Sequence, residues 1–400
     1  MRIAVIFEGS LASGGGFQQA LNMVLLFKEK RIQDRELVFF TTNSQNVQDL
    51  RAHGVEAHHF DIGRRDTWII RARRHIRLNQ LCEKLGLHNA FDRVFDAHNI
   101  DILYFVSATA MALLTEKYNY LYTVWDLCHR DHPEFPEVRT ARQFEAREDV
   151  LHQALPKATA VLADSDLGRD NLVRRYNLDA ERVKVLPFSP SVATDIDEAA
   201  YEDSKTDIRE KYGVANPYLF YPAQFWPHKN HIYILQALHH LNQSGGARVS
   251  AVFSGSSGDS HGHVEDSIRK LGLEGQVHCI GFAPEAEMPS LYRQSLALVM
   301  PTWFGPTNLP PLEAFRLGTP VAYPDLPGLR DQVGDAALLM DLEDPSSLAG
   351  HLAALADDPS LGDQLRQKGR QRLAQLDGTD RWEVLAEVFN SFATKLACWK

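Results

Sequence analysis

The segment from Pro301 to Pro345, PTWFGPTNLPPLEAFRLGTPVAYPDLPGLRDQVGDAALLMDLEDP, admits few folds. A polar loop rich in glycine and proline, Phe304 to Pro311, runs straight into a helical start that carries a carboxylate, Glu313. Gly318-Thr319-Pro320 breaks that helix, Val321 to Tyr323 makes a short apolar strand, and another Gly/Pro loop follows. A strand–loop–helix–strand–loop unit of this kind belongs to α/β proteins, which hold ligands in the loops at the carboxyl ends of a parallel sheet.

The alternation extends along the chain. Arg2 to Phe7 reads as a buried first strand, followed by a loop, Glu8 to Gly16, and a helix from about Gln18 to Lys28. Strands are expected next at Leu37 to Thr41, from Val55-Glu56-Ala57, and at Ile102 to Val106, Tyr120 to Trp125, Ala160 to Ala163 and Val183 to Leu186. A second series begins at Tyr218-Leu219-Phe220-Tyr221 and recurs at Val249 to Phe253, Val277 to Ile280, Ala297 to Met300 and Val321 to Tyr323. Helices His231 to Asn242 and His263 to Leu271 lie between. Such patterns specify open parallel sheets covered by helices. The expected fold class is α/β, with two Rossmann-like doubly wound domains facing each other across a cleft. The first spans 1–193, a polar acidic linker 194–211 and the second domain 212–376. Residues 377–400 form a C-terminal helix, with apolar positions at helical spacing from Trp382 to Ala397.

Four hundred residues, 44% of them hydrophobic, suffice for two cores in domains of about 200 residues each. A formal net charge of −10 argues against a protein that coats nucleic acid. Cys82, Cys128, Cys279 and Cys398 are scattered and form no CxxC pair, which disfavours structural zinc and suits a reducing compartment. MRIAVIFEGS lacks the length and cleavage pattern of a secretion signal, and no run approaches a membrane span. A cytoplasmic protein, at most peripheral to a membrane, is expected.

Gly14-Gly15-Gly16 follows the first strand without the GxGxxG spacing of a dinucleotide-binding dehydrogenase. Three glycines permit close backbone approach by a sugar or diphosphate, or simply a tight turn. Gln224-Phe225-Trp226-Pro227-His228-Lys229-Asn230-His231 lies between a strand and a helix, which places a cation, Lys229, near a helix N-terminus. Phe253-Ser254-Gly255-Ser256 is a Gly/Ser turn after a strand, and Gly255 there would allow close approach by a donor phosphate. Glu313 has two readings, a carboxylate that complements the helix dipole or a ligand contact. His129, Asp131 and His132 lie too close in sequence, with no supporting scaffold, to form a metal site.

The Pro301–Pro345 stretch, with its LPPLEA run from Leu309 to Ala314, closely resembles the nucleotide-sugar signature of the family 4 glycosyltransferases. These are retaining enzymes of the GT-B, two-Rossmann-domain type. The resemblance spans both halves and is strongest from Tyr218 to Pro345. It implies a phosphate clamp of an Arg and a Lys five residues apart; Lys229 matches the second, while the first falls on Gln224, which carries no charge. It implies two glutamates eight positions apart. Glu313, as the second, would hold the donor ribose; the first falls on Gly305. In place of that acid, Thr307 and Asn308 would meet sugar hydroxyls, and the amides of Thr307 to Leu309 would cradle sugar or phosphate. The loop Gly281-Phe282-Ala283-Pro284 would abut the base, with ordinary packing the other reading of Phe282. Gly14, Gly15 and Gly16 would touch the donor phosphate.

Trp125 to Phe135 resembles the HDLxH…PEF segment of many relatives, with Trp125 at the position of the first His. By that resemblance His129, and less strongly Asp126, would orient an acceptor hydroxyl or the transferred sugar. The outstanding charge feature is Arg64 to Arg77, with Arg64, Arg65, Arg71, Arg73, Arg74 and Arg77 around Trp68, Ile69 and Ile70. It reads either as a solvated helix face or as a patch for anionic lipid or a lipid-diphosphate acceptor.

The resemblance implies a metal-independent, retaining hexosyltransferase without a cofactor. Its donor substrate would be a UDP-, GDP- or dTDP-linked hexose or deoxyhexose. The acceptor would be a glycan or lipid-linked oligosaccharide of surface polysaccharide or lipopolysaccharide synthesis, met at the cytoplasmic face of the inner membrane. Two other readings remain open: a nucleotide-sugar epimerase or phosphorylase of the same architecture, and a non-catalytic glycan-binding or regulatory protein.

Overall fold

The computed structural model describes residues 1–8, 21–23, 35–73, 76–191, 194–258, 260–378 and 380–400. They form two compact units. The first takes Met1–Leu127, Phe144–Pro187 and Asp380–Lys400; the second takes Cys128–Gln143 and Phe188–Thr379.

The first unit is built on β1 (Arg2–Phe7), β2 (Glu36–Thr41), β3 (Ala57–His59), β4 (Ile102–Phe105), β5 (Tyr120–Val124), β6 (Ala160–Ala163) and β7 (Val183–Val185). All pair in parallel, in the order β3-β2-β1-β4-β5-β6-β7, so the winding reverses between β1 and β4. β4 (ILYF) and β5 (YLYTV) are buried at every position, as a sheet covered on both faces requires. Their tyrosines carry polar tips into the core, where Tyr122 donates to the Thr109 carbonyl at 3.0 Å. The third strand starts two residues later than Val55, because Ala57 is the residue that pairs with Phe39.

One core cluster in this unit gathers around Phe40, Phe91, Phe95 and Tyr122. The other gathers around Ile3, Val5, Ile102 and Leu121, and takes Leu385, Val388, Phe389 and Phe392 from the helix Arg381–Leu396. The C-terminal helix is therefore part of the first unit's core.

The second unit contains β8 (Tyr218–Pro222), β9 (Ser250–Ser254), β10 (Val277–Cys279), β11 (Ala297–Val299), β12 (Val321–Pro324) and β13 (Leu338–Met340). They too are all parallel, in the order β10-β9-β8-β11-β12-β13, with reversal between β8 and β11. β13 lies inside the stretch that reads from sequence as loop; three residues, paired with Ala322 to Pro324, are too few to show a period.

Residues 194–211 are structured. They hold two short helices, Glu198–Ser204 and Ile208–Tyr212. Each buries a single large apolar residue: Tyr201 lies under the Arg293 guanidinium at 4.2 Å, and Ile208 is fully buried. One apolar anchor per helix leaves no periodicity to read.

Candidate functional site

In a doubly wound sheet the crevice opens at the carboxyl ends of the strands where the order reverses. In the second unit that place lies between β8 and β11, so the loops concerned are residues 223–230 and 300–308. The two loops are tied together. Trp303 donates its amide to the His228 carbonyl at 2.9 Å, and the His228 ring stacks on Phe304 with centroids 4.0 Å apart and planes 9° from parallel. Gln224, Lys229, Gly305, Thr307 and Asn308 are thereby brought to one end of one sheet.

The first loop ends in a 3₁₀ turn, Pro227–Lys229, then Asn230 in the left-handed region (φ 55°), then the helix His231–Gln243. Lys229 thus stands two residues outside that helix, its carbonyl accepting from the Tyr221 hydroxyl at 2.8 Å. Gln224 accepts from the Trp226 indole at 2.7 Å and stays within its own loop. His231 supports the loop from below, its ring stacked on Phe225 at 4.5 Å. Burial, with the Lys229 ammonium nearby, pushes the His231 pKa down to about 3, so this ring is neutral filler. Gly255 lets the next turn close on the same loop: a Cβ there would sit 2.3 Å from the Ala223 carbonyl oxygen. The Gly255 amide donates to the Gly281 carbonyl at 2.9 Å, joining the loops after β9 and β10. Phe282, at the edge of this arrangement, is 72% exposed, so the packing reading of that ring does not hold.

The second loop departs from the expected cradle. Asn308 caps the helix Leu309–Leu317 by position, but its side-chain amide donates to the Tyr323 hydroxyl at 2.7 Å. Its backbone N–H donates to Gln332 Oε1 at 2.9 Å, and Gln332 Nε2 returns a bond to the Asn308 carbonyl at 2.6 Å. Pro310 and Pro311 have no N–H, so Leu309 supplies the only backbone donor among the first three helical positions. The helix His231–Gln243, free of proline in its first turn, offers an anion more backbone donors.

Gly305 has φ +97°, and a Cβ there would lie 2.8 Å from the Thr307 carbonyl oxygen. This loop is shaped for glycine, and an acidic side chain does not fit it without rearrangement.

Glu313 lies beyond the first turn of its helix, which corrects the dipole reading: the helix begins at Leu309, and no acidic residue occupies its first turn. The carboxylate is buried and accepts from the Tyr292 hydroxyl at 2.6 Å. Burial raises its pKa, opposed by the bonds from Tyr292 and the Ser191 amide. A carboxylate has about four acceptor directions, so two donors leave capacity for a ligand hydroxyl.

His129 is fully buried in the short helix Cys128–Asp131 of the second unit. This segment reaches the second loop, where the Gly305 amide donates to Cys128 Sγ at 3.2 Å. Asp126 belongs to the first unit, and its carboxylate is engaged by Arg147 at 2.7 Å. Gly14, Gly15, Gly16 and Arg74 lie outside the described residues. Arg64, Arg65, Trp68, Arg71 and Arg73 fall on the helix Arg64–Arg73, and Arg77 on the helix Ile76–Lys84. Among the described residues no helix is long and apolar enough to cross a membrane, and no three His, Cys, Asp or Glu form a metal-holding group.

Sequence reasoning missed Glu137, Tyr292, Gln332 and the part played by His228. Each acts on a residue distant in sequence, and no local spacing signals that.

Residues 204–372 match the profile of the glycosyl transferases group 1 family. This part of the chain has the sequence pattern of a group 1 glycosyltransferase domain. It covers the whole β8–β13 sheet and both loops of the crevice. Among curated relatives, the chain is 28% identical over 226 residues to O-antigen chain mannosyltransferase B of Escherichia coli, covering 56% of this chain and 58% of that protein. It is 25% identical over 217 residues to alpha-D-kanosaminyltransferase of Streptomyces kanamyceticus, covering 54% and 55%. The chain thus spans about half the length of the curated relatives it matches. Solved structures extend the likeness beyond the group 1 domain. The Anabaena Alr3699/HepE structure in complex with UDP has a TM-score of 0.70 at 16% identity, covering 98% of this chain and 100% of that one. WaaG, a glycosyltransferase involved in lipopolysaccharide biosynthesis, has a TM-score of 0.65 at 14% identity, covering 96% and 98%. At these identities the likeness is one of fold, and that fold is GT-B.

Proposed function

We propose that this chain is a retaining glycosyltransferase. It moves a hexose or deoxyhexose from a nucleotide sugar to a glycan or lipid-linked glycan, in the synthesis of surface polysaccharide or lipopolysaccharide. The observation that carries the reading is the locked pair of loops at the β8–β11 reversal. There a lysine, Lys229, precedes a proline-free helix start, within a group 1 domain.

Transfer from a nucleotide sugar builds negative charge on the departing diphosphate. Lys229 and the amides at the start of His231–Gln243 meet that charge without reorganising. Glu313 takes a ribose hydroxyl with its remaining acceptor capacity, and exposed Phe282 offers a face to the base. A front-face route serves a retaining transfer without a pair of catalytic carboxylates. In it the sugar C1–phosphate oxygen bond breaks, the acceptor oxygen bonds to C1 on the same face, and the acceptor proton passes to the departing phosphate. His129 orients the acceptor or the transferred sugar. Solved structures of Anabaena Alr3699/HepE hold UDP, UDP with glucose and UDP-glucose, which makes UDP the first nucleotide to try.

The acceptor reading has support of its own. Trp68, Leu78, Leu81 and Leu85 are all exposed, within or just after the two helices that carry the arginines. Exposed apolar side chains on helices rich in arginine suit the interface of an anionic membrane, where a lipid-linked acceptor resides.

The test is product formation. Purified protein is incubated with UDP-, GDP- and dTDP-sugars and lipid-linked glycan acceptors, with excess chelator, and the product is isolated for mass and anomeric configuration. The reading predicts one sugar added with the donor's configuration retained. An inverted product, or transfer abolished by the chelator, contradicts it.

A further inference from the structure

The residue that organises the donor crevice comes from far away in the chain. Glu137 lies 91 positions before His228, in the short helix Pro136–Arg139. One of its oxygens, Oε1, accepts both the backbone N–H of His228 at 3.0 Å and a bond from the His228 ring at Nδ1. Both side chains are largely buried, 13% exposed for His228 and 12% for Glu137. The other carboxylate oxygen, Oε2, is buried and has no hydrogen-bond partner among the described residues. A carboxylate held this way costs stability, and an apolar residue would fill the same volume at lower cost. Packing alone does not explain a glutamate here.

What Glu137 holds is the turn that carries Lys229. Its two bonds fix the backbone and the ring of His228, the middle residue of Pro227–Lys229. The ring, so fixed, stacks on Phe304, which also meets His132 (5.9 Å, 15°) and, in a T-shaped contact, Phe135 (5.2 Å, 88°). The turn leads into Asn230 at φ 55°, a left-handed residue that has to be held by its surroundings. Glu137 thus anchors one crevice loop directly and, through the His228 ring, sets Phe304 on the other.

We infer that Glu137 is a positioning residue of the donor site, acting through His228 to present Lys229 to the diphosphate. The inference rests on the donor reading given above. It adds that a segment next to His129 in sequence sets the geometry of the phosphate-binding turn, so the acceptor-side strip and the donor loop are one mechanical unit.

The test is a double-mutant cycle read by calorimetry. The probes are UDP, GDP and dTDP, each also as the bare nucleoside; the variants are Glu137→Ala, Glu137→Gln, Lys229→Ala and the Glu137→Ala/Lys229→Ala pair. Loss of a charged hydrogen-bonding anchor predicts that Glu137→Ala weakens the bound nucleoside diphosphate about tenfold. Nucleoside affinity stays unchanged. Glu137→Gln, whose carbonyl oxygen still accepts both N–H groups, retains affinity within about threefold. Because Glu137 acts through Lys229, the double variant binds no more weakly than Lys229→Ala alone. A merely structural role gives additive losses that extend to the nucleoside, and that result overturns the inference. So does a Glu137→Ala affinity equal to wild type. Should Glu137→Ala fail to fold, His228→Leu, which keeps the backbone bond and loses the ring bond, is predicted to weaken the diphosphate selectively, and unchanged affinity there overturns the inference. Wild-type protein that binds no diphosphate refutes the donor reading itself; binding that depends on Lys229 but not on Glu137 refutes only this inference.

Discussion

The hydroxyl of Tyr292 donates to Oε2 of Glu313 at 2.6 Å inside the second unit. Burial raises the Glu313 pKa above its ordinary value. A group whose folded pKa is raised contributes stability below its unfolded pKa, and that stability is lost as pH rises through the folded pKa. As pH rises through that raised pKa, ionising Glu313 therefore weighs against the fold. Glu313→Gln keeps an acceptor for Tyr292 and removes the charge. It should melt above wild type at pH 8, by a margin that shrinks toward pH 4. Its nucleotide affinity should fall about tenfold, because a charged acceptor for ribose is gone. Parallel melts and calorimetry check both, and a variant less stable than wild type at pH 8 contradicts the account.

Tyr292→Phe takes the donor away and leaves the carboxylate in place. The expected cost is about 1–3 kcal/mol at pH 8, since a buried acceptor loses its partner. Denaturant titration at pH 8 and pH 4.5 checks this: the cost should be smaller at the lower pH, where Glu313 carries less charge.

Gly305→Glu restores the acid that the family pattern places there. The left-handed backbone at φ +97° and the nearby Thr307 carbonyl oxygen predict a loss. The strain is of order 1–2 kcal/mol, and donor affinity should drop with it. Improved transfer by this variant, measured as product per unit time, contradicts the geometry.

Trp68→Glu and Leu81→Glu put charge on the exposed apolar set of the Arg-rich helices. Each removes buried area at an interface and adds repulsion from anionic lipid, so partition into vesicles of anionic phospholipid should fall about tenfold or more. Nucleotide affinity should not change. Co-sedimentation at two salt concentrations checks this, and wild-type protein that fails to bind such vesicles at low salt contradicts the patch.

Much of the fold was legible because buried parallel strands are short apolar runs bounded by turns: β4, β5, β8 and β9 stand out as ILYF, YLYTV, YLFYP and SAVFS. β13 and the helices of 194–211 did not, because three paired residues, or one buried side chain per helix, leave no period. At the site, Lys229, Gly305 and Glu313 were marked by the resemblance to the family 4 glycosyltransferases. The partners that fix them were not: Tyr292 reaches Glu313 from another helix, Gln332 holds Asn308 from 24 residues on, and Glu137 reaches His228 across 91. Such contacts are made by topology. The dipole reading of Glu313 failed for a local reason: Asn308 and the two prolines start the helix early enough to put Glu313 past its first turn.

The most direct test of the central claim, a nucleotide-sugar donor site at the β8–β11 reversal, is a calorimetric titration of the purified chain. The titrants are UDP, GDP, dTDP and their sugars, with and without chelator. The account predicts selective binding of one nucleoside diphosphate in the presence of chelator, weakened about tenfold or more by Lys229→Ala and by Glu313→Ala. Folded protein that binds none of the panel, or binds with an affinity that neither substitution changes, would contradict it.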